Sequence, residues 1–254
     1  MPSETPPHPR NAAPAGGNAL RAVLFDMDGT LIDSEKLWSI ALDEVARELG
    51  GELSAHTRAA MVGTDLVSSV QLLLDDIGSD AELEVAKRLL VSAAADQFAG
   101  GLEWRPGARE LLDAVAAAGL PAALVTSTHR NLVSRALQTI GRERFDVIVC
   151  GDDVTHTKPH PEPYLRALAA LGVEAGDAVA IEDSPSGSTS ARAAGIVALV
   201  VPLEVPIEPA PGLIVTDTLS GVTVADLAAL LGASSTPGGA GEGHPGTRPG
   251  SPRG

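Results

Sequence analysis

Val23-Leu24-Phe25-Asp26-Met27-Asp28-Gly29-Thr30-Leu31-Ile32-Asp33-Ser34 runs three apolar residues straight into two carboxylates one position apart, and then into Gly-Thr. A short apolar run of this kind reads as a strand buried on both faces of a parallel sheet. In open parallel sheets, function gathers in the crevice outside the carboxyl ends of the strands. Asp26 and Asp28 therefore fall where the strand emerges, and side chains two apart on a strand point the same way. Two like charges so placed cannot both stay ionised cheaply unless a cation neutralises them or one keeps its proton. Either outcome is chemistry: a metal site, or a nucleophile beside an acid. Gly29 lets the backbone leave the strand in a tight turn. The competing reading is a plain acidic turn, which Asp-Gly also marks.

Apolar runs like the first recur at Ala22 to Phe25, Ala122 to Val125, Val147 to Val149, Ala178 to Ile181, Val197 to Val201 and Leu213 to Val215. Helical patterns separate the later ones. Pro106 suits a helix first turn, and Gly119 ends that helix; His129 to Ile140 stops at Gly141, Pro161 to Leu171 at Gly172, and Ser186 to Ala194 at Gly195. Such alternation implies right-handed crossovers. The expected fold is α/β, a Rossmann-like parallel sheet core with helices on both faces.

One interval breaks the rhythm. From Ser34 to Trp104 only helices are legible. Leu37, Ala41, Val45 and Leu49 share a face at helical spacing. Ser54 can cap a short helix ending before Gly63. Asp65 to Ile77 is a second pattern, ended by Gly78, and Ser79-Asp80-Ala81-Glu82 reads as a capping box opening a helix towards Phe98. An all-helical insert beside an acidic strand end is well placed to be a lid over substrate; a static helical bundle is the alternative. Residues 1–20 and 233–254 are rich in Pro, Gly and Ala or Ser and read as disordered tails. The expected division is thus a core of residues 21–34 and 105–232, a helical cap of 35–104, and two tails.

Aromatics make up only 2% of the chain although 44% is hydrophobic, so the core is aliphatic and small-residue. The net charge of −15 argues against nucleic acid, which needs a basic face. It leaves an anionic substrate open, because a metal supplies local positive charge. No apolar stretch approaches membrane-spanning length, and the N-terminus lacks a basic-then-apolar secretory pattern. The expectation is a cytoplasmic protein with no membrane association and no evident obligate protein partner. The single cysteine, Cys150, ends an apolar run and reads as core filler.

Four short segments end four expected strands or their loops: Asp26-Met27-Asp28-Gly29-Thr30, Thr126, Lys158 in Thr157-Lys158-Pro159-His160-Pro161, and Glu182-Asp183-Ser184. Parallel strands end on one edge, so these groups can converge. Asp26, Asp28 and Asp183 offer hard oxygen ligands that suit Mg²⁺. With a hydroxyl and a lysine they make a phosphoryl-transfer site: nucleophile, charge neutralisation and orientation.

At these residues the chain resembles the haloacid dehalogenase superfamily, in its phosphatase and beta-phosphoglucomutase-like branch with a helical cap. Asp26-Met27-Asp28-Gly29-Thr30-Leu31 matches the first motif, Thr126 the second, Lys158-Pro159 the third and Glu182-Asp183 the fourth, over roughly residues 21–232. The resemblance implies that Asp26 is the nucleophile, forming an aspartyl-phosphate. Asp28 would protonate the leaving oxygen, then activate water, while its backbone carbonyl binds Mg²⁺. The superfamily's dehalogenases lack this second Asp, so Asp28 favours phosphate chemistry. Thr126, with neighbouring backbone N–H groups at Ser127, would hold a phosphoryl oxygen. Lys158 would tie Asp26 to the transferring phosphate. The Mg²⁺ ligands would be Asp26, Asp28 and Asp183, with Glu182 binding through water or orienting its neighbours.

Other residues carry weaker claims. His160 and His129 read as loop or helix-start residues, and Arg58 and Arg88 as solvated helix faces. Trp38 stands between lining the cleft and packing. Phosphonate-cleaving relatives carry a Schiff-base lysine in the cap, but neither Lys36 nor Lys87 has an evident apolar pocket. The expected function is a Mg²⁺-dependent phosphatase hydrolysing a small phosphorylated metabolite, a sugar phosphate, through an aspartyl-phosphate. The alternative is a beta-phosphoglucomutase-type mutase. That branch places a histidine where this chain has Trp38, and a phosphate-binding arginine near Leu66. A non-catalytic binding module is a third reading; it would need a broken motif, and all four are intact.

Overall fold

The computed structural model describes residues 19–233 except 62, 63, 65, 204 and 209; most of both expected tails lies outside the described residues. Its centre is β1, Ala22–Phe25, whose four residues are all fully buried. Val23 and Phe25 face one hydrophobic cluster, Ala22 and Leu24 the other. This is the two-sided burial that the unbroken apolar run requires, and each large aliphatic or aromatic side chain so placed is worth about 1.5–3 kcal/mol. β4 (Ala122–Val125), β5 (Val147–Val149), β6 (Ala178–Glu182), β7 (Val197–Val200) and β8 (Leu213–Val215) complete a parallel sheet in the order β5-β4-β1-β6-β7-β8. β1 pairs with β4 on one side and β6 on the other, at Phe25↔Leu124 and Phe25↔Ile181. Strand order reverses direction around β1, so the carboxyl end of β1 opens at the switch point where α/β sheets bind ligands.

Helices α5 (Ala108–Ala117), α6 (Arg130–Ile140) and α9 (Val224–Ala233) cover one face, and α7 (Glu162–Leu171) and α8 (Pro185–Ala193) the other. The fold is thus the α/β sheet, with helices on both faces, that the alternation implied. α5 begins at Ala108 after Gly107, so Pro106 lies outside its first turn rather than in it.

Between β1 and β4 the chain forms α1 (Glu35–Glu48), α2 (Ala55–Met61), α3 (Leu66–Ile77) and α4 (Leu83–Ala99). Ala41 and Val45 are buried on α1, flanked by half-buried Leu37 and Leu49, as their spacing requires. Two departures from the sequence reading occur here. First, the insert is not purely helical. β2 (Ile32–Asp33) and β3 (Glu103–Trp104) pair antiparallel at its base, a two-residue ribbon too short to show alternation. Second, the capping box is not formed. Ser79 is claimed instead by the end of α3, where Gly78 takes φ +63° and the Ser79 N–H donates to the Leu74 carbonyl. That is a Schellman end. Its hydroxyl accepts the Ala81 N–H at 3.3 Å, and α4 starts only at Leu83. Ser54 does cap α2, accepting the Thr57 N–H at 3.1 Å. Asp76 of α3 takes the Ser54 N–H at 2.7 Å and its hydroxyl at 2.9 Å, which ties α2 to α3. No helix among the described residues is long and apolar enough to cross a membrane.

Candidate active site

The carboxyl ends of β1, β4 and β6 and the loop after β5 bring together Asp26, Thr126, Glu182 and Lys158, all four buried. Lys158 Nζ donates to Asp26 Oδ1 at 2.7 Å and to Glu182 Oε1 at 2.6 Å. The Tyr164 hydroxyl donates to the same Glu182 oxygen at 2.5 Å, and Lys158 Nζ lies 5.2 Å from the centre of the Tyr164 ring. Glu182 thus orients Lys158. Tyr164 was not singled out from the sequence. The available signal was that the chain's single tyrosine falls on the apolar stripe of α7 with Ala167 and Leu168, where a buried hydroxyl must find a partner.

Two glycines make the close approach possible. Gly29, at φ +77°, has no room for a Cβ, which would fall on the Asp183 carboxylate. A Cβ on Gly187 would collide with the Glu182 carboxylate. The first turn of α8 is therefore cut back where β6 delivers its two acids.

Charge at this edge is unbalanced. Oxygens of Asp26, Glu182 and Asp183 lie within 4.8 Å of one another. Burial pushes the Asp26 carboxyl up to about 7, against the pull of Lys158, with Glu182 and Asp28 adding to the rise. Burial likewise raises Asp183 well above the carboxylate range, helped by Asp26 and Glu182. Burial opposes the Lys158 ammonium, but Asp26 and Glu182 outweigh it and hold its pKa above the ordinary value. Glu182 Oε2 is buried with no hydrogen-bond partner. Three carboxylates against one ammonium leave the edge net negative, and the carboxylate oxygens, Glu182 Oε2 among them without a partner, are a donor set that a hard divalent cation fits.

Asp28 sits across the same edge in a separate cradle. Its Oδ1 accepts from Ser34 Oγ at 2.6 Å and from Trp38 Nε1 at 3.2 Å; its Oδ2 accepts from Thr128 Oγ1 at 2.7 Å. Thr126 Oγ1 reaches it at 3.5 Å while accepting the Thr128 N–H at 3.0 Å. Thr30 Oγ1 lies 3.4 Å from Asp183 Oδ1. The sequence had placed Trp38 between cleft and packing, and the structure gives it both. Its ring packs edge-on to Phe98 at 5.9 Å while its N–H points to Asp28. Ser34 and Thr128 were not singled out, because a lone hydroxyl carries no pattern.

A cavity of about 730 Å³ opens over these groups between the sheet edge and the inserted helices. Ser127 and His129 line it from the core, and Trp38, Arg58 and Leu66 from the insert. Arg58 is not a free solvated residue: it pairs with Asp43 of α1 and faces the cleft. Arg88 is exposed, as expected, and Lys87 pairs with Glu84 at 2.9 Å. His160 stays outside this cavity. Cys150 is buried, and burial pushes its thiol up to about 12, which leaves it inert.

Residues 23–201 match a family model described as haloacid dehalogenase-like hydrolase. The chain is similar to a phosphorylated carbohydrates phosphatase of Thermotoga maritima, 34% identical over 178 residues, which covers 70% of this chain and 82% of that protein. It is also similar to hexitol phosphatase B of Escherichia coli K12, 30% identical over 185 residues, covering 71% of this chain and 83% of that one. Among solved structures, CbbY from Rhodobacter sphaeroides superimposes with a TM-score of 0.75 at 29% identity, covering 82% of this chain and 99% of that one. It has been solved with phosphate and, as a mutant, with xylulose-1,5-bisphosphate.

Proposed function

We propose a reaction from one premise: the chain belongs to the haloacid dehalogenase-like hydrolase family and is a phosphoric monoester hydrolase. Its substrates are phosphorylated carbohydrates, and the proposed chemistry is Mg²⁺-dependent hydrolysis through an aspartyl-phosphate on Asp26. The observation that carries this reading is the contact of Asp26 with Lys158 at the end of the central strand, with Asp28 held separately on the same edge.

The Asp26 carboxylate attacks phosphorus, and the bond from phosphorus to the sugar oxygen breaks as the new one forms. Asp28 gives its proton to the leaving oxygen. Asp28, now a carboxylate, takes a proton from water, whose oxygen attacks the phosphorus of the acyl phosphate. Inorganic phosphate leaves and Asp26 is restored. Lys158 is held charged and offsets the negative charge that gathers on the phosphoryl oxygens. Thr126 and the backbone N–H at Ser127 orient those oxygens. Asp26, Asp183 and the Asp28 carbonyl would hold Mg²⁺, which when bound neutralises charge at the phosphoryl group. Residues 35–104 act as a cap on the core of 21–34 and 105–232. Trp38, from that cap, reaches the acid–base residue directly.

The test is phosphate release from a panel of sugar phosphates, with Mg²⁺ and then with EDTA, for the wild type and Asp26→Asn. The expected result is multiple turnover that needs Mg²⁺ and no bisphosphate activator, and that the substitution abolishes, because an amide cannot attack phosphorus. Near wild-type release from Asp26→Asn would sink the covalent step. Interconversion of beta-glucose 1-phosphate and glucose 6-phosphate outpacing phosphate release would overturn the phosphatase in favour of a mutase.

A further inference from the structure

We propose that His156, His160 and Glu162 form a second metal site, for a transition-metal dication of the zinc class, on the loop that carries Lys158. Each of the three offers one ligand atom, and these atoms lie within 4.8 Å of one another. The two histidines stand at an H-x₃-H spacing, which is common among zinc ligands. Their rings lie together, with centroids 4.6 Å apart and planes inclined by 34°.

Glu162 organises the group. Its Oε1 accepts the Thr155 N–H at 2.8 Å, and its Oε2 accepts the His156 N–H at 3.0 Å. These two backbone bonds fix the carboxylate and help hold its pKa below the ordinary glutamate value. His156 Nδ1 lies 2.9 Å from Glu162 Oε2, and His160 Nδ1 accepts the Glu162 N–H at 3.2 Å. One glutamate, through side chain and backbone, therefore draws both imidazoles to the start of α7. The carboxylate stays ionised and is already anchored, and coordination by His160 Nδ1 exchanges the Glu162 N–H bond for the metal. A dication would take the place of the proton shared by His156 Nδ1 and Glu162 Oε2, releasing that proton to solvent. Zinc bonds to histidine nitrogen and carboxylate oxygen are about 2.0–2.2 Å long, so the pair need open only slightly. Two nitrogens and one oxygen, with solvent for a fourth ligand, suit a borderline metal; the all-carboxylate group at the sheet edge suits Mg²⁺. The two sites differ in chemistry as well as place.

Lys158 stands between the two histidines in the chain. A metal held by both flanks pins the loop from which Nζ reaches Asp26. The site is a structural clamp, and this role does not depend on the phosphatase reaction.

Electron paramagnetic resonance of the full chain with one equivalent of Cu²⁺, with Mg²⁺ in excess, tests it. Nitrogen hyperfine structure from two imidazoles is expected in the wild type and is lost in the His156→Ala, His160→Ala double variant. The acidic edge cannot imitate this signal, because its groups are oxygens and the charged Lys158 ammonium has no lone pair. In parallel, Zn²⁺ raises the melting temperature of the wild type and not of the double variant. An unchanged far-ultraviolet circular dichroism spectrum without added metal shows that the variant is folded. Absence of the nitrogen signal in the wild type overturns the proposal. So does its persistence in the double variant, which would place the metal on other histidines of the chain, such as His129 or His244.

Discussion

Asp28 is the residue on which the proposed reaction turns twice, and its surroundings suit that task. Ser34, Trp38 and Thr128, with Thr126 at 3.5 Å, donate to its two oxygens, so the carboxyl is aimed before any substrate arrives. Asp28→Asn keeps the backbone carbonyl and most of these contacts but loses the transferable proton. General acid–base help is worth about 10²–10⁴-fold, and kcat is expected to fall by that order with Mg²⁺ affinity retained. Titrating Mg²⁺ against residual activity separates the two effects. Trp38→Phe is a milder probe. It keeps a ring against Phe98 and removes only the N–H, whose hydrogen bond is worth about 0.5–1.5 kcal/mol. kcat should fall by roughly 2- to 10-fold with KM little changed. A shift in KM alone would assign Trp38 to substrate binding rather than to Asp28. The acids were legible as residues because charge at the end of an apolar run is conspicuous, and Lys158 was legible from the Lys-Pro motif in its loop. The donors around Asp28 were not, since Ser34, Trp38 and Thr128 acquire their meaning from where Asp28 points.

Among the elements, the strands were the easiest to read. β1 and β4 coincide with their apolar runs, because a strand buried on both faces needs every residue apolar, and the half-buried edge strands β5 and β8 coincide with theirs as well. Helix ends were less legible. Ser79 could start α4 or finish α3, and the hydrogen bond to Leu74 decides for α3. The Ser54–Asp76 link between α2 and α3 joins residues 22 positions apart and leaves no local pattern. It yields a pH prediction. The Ser54 N–H, followed by the Thr57 and Ser54 hydroxyls, holds the Asp76 carboxyl below its ordinary value. A carboxyl depressed in the folded state stabilises it above the unfolded pKa, and that support is lost as pH falls through the folded pKa. As pH falls from about 5 to below the ordinary carboxylate value of 3.8, denaturation midpoints should drop further for the wild type than for Asp76→Asn. Parallel curves would show that the link contributes nothing to the stability of the helical insert.

For the whole molecule, the proposed Mg²⁺ site would tie stability to a cation at the crowded carboxylates of the sheet edge. A ligand that binds only the folded state stabilises it by about 2.7 kcal/mol at a hundred times its Kd. Mg²⁺ should therefore raise the melting temperature, EDTA should reverse the rise, and Asp183→Asn should abolish it; an equal rise in that variant would remove Asp183 from the metal site. The alternation of runs and caps in the sequence determined the parallel α/β sheet, the position of the helical insert and the acidic end of β1. Those features follow from local rules, burial on both faces of a strand and the period of a helix, and such rules are written into neighbouring residues. Tertiary structure alone decided that Glu182 turns to Lys158 and Tyr164, that Arg58 faces the cleft, and that an indole from the insert meets Asp28. Each of these joins residues from different elements. Their partners are fixed by how the insert packs on the sheet and by where Gly29 and Gly187 leave room, which is a matter of three-dimensional fit rather than of sequence spacing.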